Sequence, residues 1–353
     1  MPNPYRLKGP DQFWRTGMAT PPPGEIMPIR AKRFTLPPGT VLSTAGSCFA
    51  QNVALHLRAN PAVRVLETEP VGPDQPRFSA LYGNIYTVRQ LVQLLDEAFG
   101  RRKPEAIVFR RSDGRYVDGL RPYVFVDGFT SPESVLAARA KHLPAVRQVF
   151  TDCSVFVFTL GLTEGWRAVQ DGTVFPVAPG VVSGDVAPDE FEFHNFSYDE
   201  ITQDIDTFVT RLTTLNAGVR IILTVSPVPL TATYTDEHVL VATTHSKSIL
   251  RAVCSTAEAT HPNVFYFPAY EIITGPHSRG AYYAANLREV APEGVAHVMR
   301  VFEANLLSPI ANSSNPVPAT PAILEPSNEP LFSEEDNMVI CDEEEIEKSV
   351  GFE

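Results

Sequence analysis

Cysteine is scarce and scattered, with Cys48, Cys153, Cys254 and Cys341 each standing alone in 353 residues. That excludes a disulfide framework and a cysteine-based metal cage, and it favours a reducing compartment. Long apolar runs are missing too: nothing approaches the roughly 18 residues that a bilayer span needs. The N-terminal Met1-Pro2-Asn3-Pro4-Tyr5-Arg6 lacks the apolar centre of a signal peptide. The expectation is a soluble, cytoplasmic protein without a membrane span. Clustered Lys and Arg, the footprint of a nucleic-acid binder, are also absent, since Arg101-Arg102-Lys103 and Arg110-Arg111 are short runs of solvated surface. No Gly-x-Gly-x-x-Gly or Gly-x-x-x-x-Gly-Lys loop occurs, and His and Cys spacing offers no metal site, so no cofactor is indicated.

What the chain has in excess is acid at one end. The net charge is −12, yet residues 308–353 alone hold eleven acidic residues and one basic one, Lys348. The rest of the chain is nearly neutral. Six prolines between Pro309 and Pro330, spaced by Asn, Ser and Thr, mark a linker that cannot bury enough surface to order itself. Residues 308–353 therefore read as a proline-rich linker and an acidic, disordered tail. Met338-Val339-Ile340-Cys341 followed by Asp342-Glu343-Glu344-Glu345 also fits a docking peptide, which leaves the tail open to a protein partner.

Residues 1–37 are proline-rich and read as an extended arm, with Phe13 and Trp14 expected to pin it to the body. Residues 38–307 carry the globular domain. Val155-Phe156-Val157-Phe158-Thr159-Leu160 is continuously apolar, the pattern of a central parallel strand buried on both faces. Similar strands are expected at Val219 to Val225 and Val264 to Phe267, and a shorter one at Val63 to Leu66. Helices are expected at Val88 to Phe99, Ser131 to Val149, Asp199 to Leu215, Thr244 to Ala257 and Pro292 to Leu307. Aromatic runs at 100–130, including Tyr123-Val124-Phe125-Val126, suggest a small β insertion, and 168–197 a substrate-side excursion. The alternation predicts a three-layer α/β/α fold around a central parallel sheet.

One stretch carries candidate chemistry. The apolar Val41-Leu42 leads to Gly46, and a helical pattern follows at once. Strand, tight glycine turn and helix would put Ser47 and Cys48 at a positive helix N-terminus on the C-terminal edge of the sheet. A thiol there can be reactive near neutrality. The plain alternative is a Gly-Ser cap followed by a small buried cysteine.

Gly46-Ser47-Cys48-Phe49-Ala50 resembles the signature of the GSCFA domain family. Further blocks resemble that family in order: Gly83-Asn84-Ile85-Tyr86, the stretch from Thr159 to Trp166, Val225-Ser226-Pro227-Val228, Ser246-Lys247-Ser248, and Tyr266-Phe267-Pro268-Ala269-Tyr270-Glu271. The family in turn resembles the SGNH/GDSL hydrolases, which implies a flavodoxin-like fold and acyl-transfer chemistry. Aligning glycines places Cys48 at the nucleophile and Ser47 at the aspartate of the Gly-Asp-Ser block. Gly83, with Asn84 beside it, matches the oxyanion glycine. Gly161-Leu162-Thr163-Glu164 matches Gly-x-Asn-Asp, so Thr163 replaces an asparagine. The final Asp-x-x-His is replaced: Asn286 stands at the aspartate and Glu289 at the histidine. Glu289 or His297, two helical turns on, is then the candidate base, with His245 and His277 as further options. The resemblance implies an esterase or O-acyltransferase on a small-molecule or glycan acyl ester. The alternatives are a degenerate domain that binds a glycan or acyl ligand, or a Ser47 nucleophile.

Overall fold

The structure, a computed structural model, describes residues 2–308 and 341–351 apart from 32, 71, 73, 74, 76, 184, 185 and 188. The linker residues 309–340 lie outside the described residues. Strand β1 (Thr40–Gly46) turns at once into helix α1 (Cys48–Ala59), which returns to β2 (Val63–Val65). Helix α2 (Val88–Ala98) precedes a hairpin of β3 (Val108–Arg110) and β4 (Tyr116–Asp118), and α3 (Pro132–Thr151) follows. Strand β5 (Val155–Leu160) leads into an antiparallel sheet of β6 (Glu164–Ala168), β7 (Val174–Phe175) and β8 (Phe191–Asn195), with the short α4 (Pro179–Val182) before β8. Then come α5 (Tyr198–Leu215), β9 (Arg220–Val225), α6 (Val239–Thr260), β10 (Val264–Tyr266), α7 (Ala269–Thr274) and α8 (Pro292–Leu306). In the C-terminal segment, α9 spans Glu344–Ser349.

Five strands pair in parallel in the order β10-β9-β5-β1-β2. Numbered along the chain this is 2-1-3-4-5, the flavodoxin-like doubly wound order. Side chains of a strand alternate between faces, and β5 uses both. Val155 and Val157 pack with α1 and α8 through Phe49, Val53, Val298 and Phe302. Phe156, Phe158 and Leu160 pack on the other face with α2, α3, α5 and α6. Every residue of β5 is buried, and each large apolar side chain so placed contributes about 1.5–3 kcal/mol. The expected three-layer α/β/α architecture is the one observed.

Local chemistry sets the helix starts. Capping boxes open α2 (Thr87 with Gln90), α3 (Ser131 with Ser134) and α5 (Ser197 with Glu200), satisfying otherwise orphaned N–H groups. Helix α6 begins five residues before the expected Thr244, because His238 Nδ1 accepts from Leu240 N at 3.1 Å and caps an earlier turn. The β insertion also shifts. Its strands are β3 and β4, whereas residues 121–128 close into turns, with Val124 N donating to Arg121 O and Gly128 N to Phe125 O. Phe13 and Trp14 are exposed and do not pin the arm. Ile26 and Leu36 do so, both buried, with Leu36 N donating to Leu306 O. Among the described residues, no helix is long and apolar enough to cross a membrane.

A buried charge network braces the loop that runs toward the sheet edge. Asp118 Oδ2 accepts from Arg121 Nε at 2.8 Å and from Arg139 Nη1 at 2.9 Å. Arg139 also grips Glu97 of α2, its Nε donating at 2.6 Å. Arg121 Nη1 donates to Leu81 O at 2.9 Å, fixing the backbone just before Gly83 and Asn84.

Candidate active site

The C-terminal ends of β1 and β5 form the switch point of this topology, where doubly wound sheets place their ligands. Gly46 sits there with φ of +144°. A Cβ on Gly46 would lie 2.5 Å from Thr159 O, so the turn requires glycine. Ser47 N donates to Thr159 O at 3.2 Å and Ile85 N to Gly46 O at 2.8 Å, which ties β5 and the 83–86 loop to the turn. Cys48 is the first residue of α1, 4% exposed, where helix N–H groups lack intrahelical partners. Gly46→Ala is expected to cost about 2–4 kcal/mol through clash and backbone strain, read as a lowered denaturation midpoint. An unchanged midpoint would refute the close approach.

Four more side chains reach this point from three other parts of the chain. Asn84 is buried, accepts from Gln51 Nε2 at 3.0 Å, and turns Nδ2 into the site. Tyr86, from the same loop, presents its hydroxyl. Lys247 of α6 is buried with Nζ donating to Gly161 O at 2.6 Å, and burial lowers it to about 8. Arg288 comes from the turn before α8, which Asn286 shapes by accepting from the N–H groups of Arg288 and Glu289 at 3.1 and 3.0 Å.

The C-terminal segment fills the space between them. Cys341 Sγ lies 3.3 Å from Cys48 Sγ, across 293 residues of sequence. Arg288 Nη2 donates to Cys341 Sγ at 3.2 Å and to Glu343 Oε2 at 3.1 Å. Asn84 Nδ2 donates to Asp342 Oδ1 at 3.0 Å, and Asp342 N donates to the Tyr86 hydroxyl at 3.1 Å.

These contacts divide the charge between the sulfurs. The hydrogen bond between the two thiols lowers Cys341 to about 5, and Arg288 adds to the effect against the cost of burial. The same bond, then burial and the negative charges of Cys341 and Glu343, hold Cys48 well above an ordinary thiol. Arg288, donating to Cys341 Sγ, favours the charged form of Cys341 over that of Cys48. Burial and the Cys341 charge raise Glu343 to about 7, against the pull of Arg288 and Lys247. Burial and the same charge hold Asp342 well above the usual carboxylate range.

The other residues singled out in the sequence lie as follows. Ser47 caps α1 in extended conformation, and its buried Oγ has no hydrogen-bond partner among the described residues. Gly83 has φ of +71° and packs beside Arg121 and Val124. Gly161 N donates to Tyr86 O at 3.0 Å. Thr163 bonds Ser246 Oγ and Asn195 Oδ1 at 3.0 and 2.6 Å, and Glu164 accepts from Thr233 Oγ1 at 2.7 Å. Thr163 thus bridges α6 and β8, and Glu164 holds the segment after β9. Asn286 Nδ2 donates to Glu289 Oε1 at 2.8 Å in an exposed turn. His297 is buried, with Nδ1 against the Tyr282 hydroxyl at 2.8 Å and Nε2 against Ile26 O at 2.9 Å. Both candidate bases are engaged elsewhere, His297 with Tyr282 and Ile26 and Glu289 with Asn286. The block replacing Asp-x-x-His does reach the site, but through Arg288. Lys247, Arg288, Tyr86 and Cys341 were not singled out as site residues. Lys247 and Tyr86 stand within the ordered blocks, and that was the available signal. Among the described residues no cluster of three His, Cys, Asp or Glu could hold a metal.

A parallel 2-1-3-4-5 sheet with a cysteine opening the helix after its first strand defines an α/β/α protein with a candidate nucleophile turn at the switch point. The GSCFA family model matches residues 41–302, well over half the chain, and the chain belongs to the GSCFA family. Among solved structures it is similar to a candidate GDSL-like lipase from Parabacteroides merdae, with 10% identity and a TM-score of 0.33 over 78% of this chain and 98% of that one. No curated protein matches the chain.

Proposed function

We propose that this chain is an acyl-transfer enzyme, an esterase or O-acyltransferase for a small-molecule or glycan acyl ester, with Cys48 as nucleophile. The observation that carries the reading is convergence: Cys48 opens α1 at the switch point, and Lys247 of α6, Arg288 and Asn84 reach the same space from separate parts of the chain. With the tail displaced, neutral Lys247 takes the Cys48 proton, and the helix end and Arg288 favour the resulting thiolate. The thiolate attacks the acyl carbonyl, the ester C–O bond breaks and the alkoxide leaves as the alcohol by taking a proton, giving a thioester that water or an alcohol resolves. Asn84 Nδ2 and the Cys48 N–H, with Gly83 shaping the loop, stabilise the oxyanion, a role supported by Asn84 Nδ2 already donating to the Asp342 carboxyl. Lys247, lowered to about 8, moves the proton, the role that family resemblance would give to Glu289 or His297. Arg288 offers a charge for an anionic group on the substrate. The setting is a reducing, cytoplasmic one.

The test uses the full chain carrying Cys341→Ser and Glu343→Gln, which weaken the tail's hold. An activated acyl ester should add one acyl group to Cys48, found by intact mass and peptide mapping. The rate should rise with pH as Lys247, held below an ordinary lysine by burial, loses its proton, since it accepts one only when neutral. Lys247→Met should slow acylation by about 10²–10⁴-fold and remove that rise. Acylation at Cys153 or Cys254 instead, or none at all, would sink the assignment.

A second reading, a non-catalytic domain that binds a glycan or acyl ligand, is favoured by one observation. Among the described residues the hydrogen-bond partner of the Cys48 sulfur is another cysteine, Cys341, rather than a histidine. That reading expects the same variant to bind an acylated ligand without turning it over.

A further inference from the structure

We propose that Cys48 and Cys341 are a redox modification site, at which a small hydroperoxide joins the two sulfurs in a disulfide. This is independent of the acyl-transfer reading, because it needs only the juxtaposition of two thiols. Their sulfurs lie 3.3 Å apart, and a bond requires an approach to about 2.05 Å. The two residues come from opposite ends of the chain, one fixed in α1, the other in a segment held by Arg288, Asn84 and Tyr86. Arg288 donates to the Cys341 sulfur, so that sulfur carries the nucleophilic charge beside a thiol that can resolve it.

The step balances. The Cys341 thiolate attacks one peroxide oxygen, breaking the O–O bond and releasing hydroxide, which takes a proton to leave as water. The product is a sulfenic acid. The Cys48 sulfur, giving up its proton, then attacks the sulfenic sulfur and expels hydroxide, which leaves as a second water. Two electrons pass from the sulfur pair to the peroxide. The two remaining cysteines are built differently. Burial pushes Cys153 up to about 11 and Cys254 higher still, and among the described residues neither lies within bonding reach of a second thiol. They serve as internal controls.

The test treats the reduced full-length protein with one equivalent of hydrogen peroxide, followed by intact-mass analysis and non-reducing peptide mapping. The expected result is a loss of about 2 Da and one linked peptide pair joining Cys48 to Cys341, both reversed by a dithiol reductant. Iodoacetamide labelling of Cys341 should fall about tenfold or more on oxidation and return on reduction. In Cys341→Ser the mass loss should vanish. Three outcomes would overturn the proposal: no loss of two hydrogens, a link through Cys153 or Cys254, or a Cys48–Cys48 link between two chains. Because the decisive readout is made on the wild-type chain, a poorly folding variant would not leave the question open.

Discussion

Alanine at Cys48 is expected to lower turnover of an activated acyl ester by about 10⁴-fold or more in the tail-weakened chain, with the fold retained. The size follows from role: in this reading Cys48 forms the covalent intermediate. The structural cost is small, since deleting one buried sulfur from a helix start removes about 1 kcal/mol of packing. Circular dichroism and a denaturation midpoint within that range would show that the loss is chemical. Cys48→Ser should also be strongly impaired, because a hydroxyl ionises far less readily than a thiol and Lys247 at about 8 is a weak match for it. Ser47→Ala separates the neighbouring residues. The Ser47 hydroxyl has no hydrogen-bond partner among the described residues, so nothing there activates it, and the substitution should leave acylation of Cys48 intact. Full activity in Cys48→Ala with loss in Ser47→Ala would move the nucleophile to Ser47.

Asp118→Asn is expected to destabilise the protein by about 3–5 kcal/mol, although Asp118 touches no reacting group. The carboxylate sits between two buried guanidiniums, and an amide leaves both with less than the charge that compensates their burial. Burial alone would raise the Asp118 pKa, yet Arg139 and Arg121 outweigh it and hold it below the ordinary value. The sign follows from linkage. A carboxyl lowered in the folded state adds stability above its unfolded value of about 3.9, and that stability drains as pH falls through the folded pKa. The gap between wild type and Asp118→Asn should therefore be constant near neutrality and shrink below about pH 4 in urea titrations. A gap that persists undiminished in acid would mean the loss is one of shape rather than charge. Because Arg121 also holds Leu81 O, the variant should loosen the Asn84 loop as well.

How far the sequence could be read depended on how local each cause was. Strand β5 was legible because burial on both faces writes an unbroken apolar run. The Gly46 turn was legible because a strand pattern gives way to a helical one within two residues. Helix α6 was mis-bounded because a histidine cap is a weak sequence signal. Phe13 and Trp14 misled because aromatic character says nothing about which side of an arm meets the body. In the site, Cys48 and Asn84 could be placed from ordered blocks. Arg288 could not, because its usefulness depends on a turn that Asn286 builds from its own side chain. Cys341 was the least visible: nothing local distinguishes a tail cysteine that meets a sulfur 293 positions away.

The segment lodged against Cys48 also changes what any binding experiment on the whole chain would measure. A ligand needing the space of Asp342 and Glu343 binds only the fraction of molecules whose site is open. Its apparent Kd is the intrinsic value divided by that fraction. If the segment is docked in about 99 of 100 molecules, a ligand of micromolar intrinsic affinity behaves as one of about 100 µM. Weak apparent binding by the intact chain would then report the population of open molecules, while the quality of the pocket would be read only after the segment is loosened.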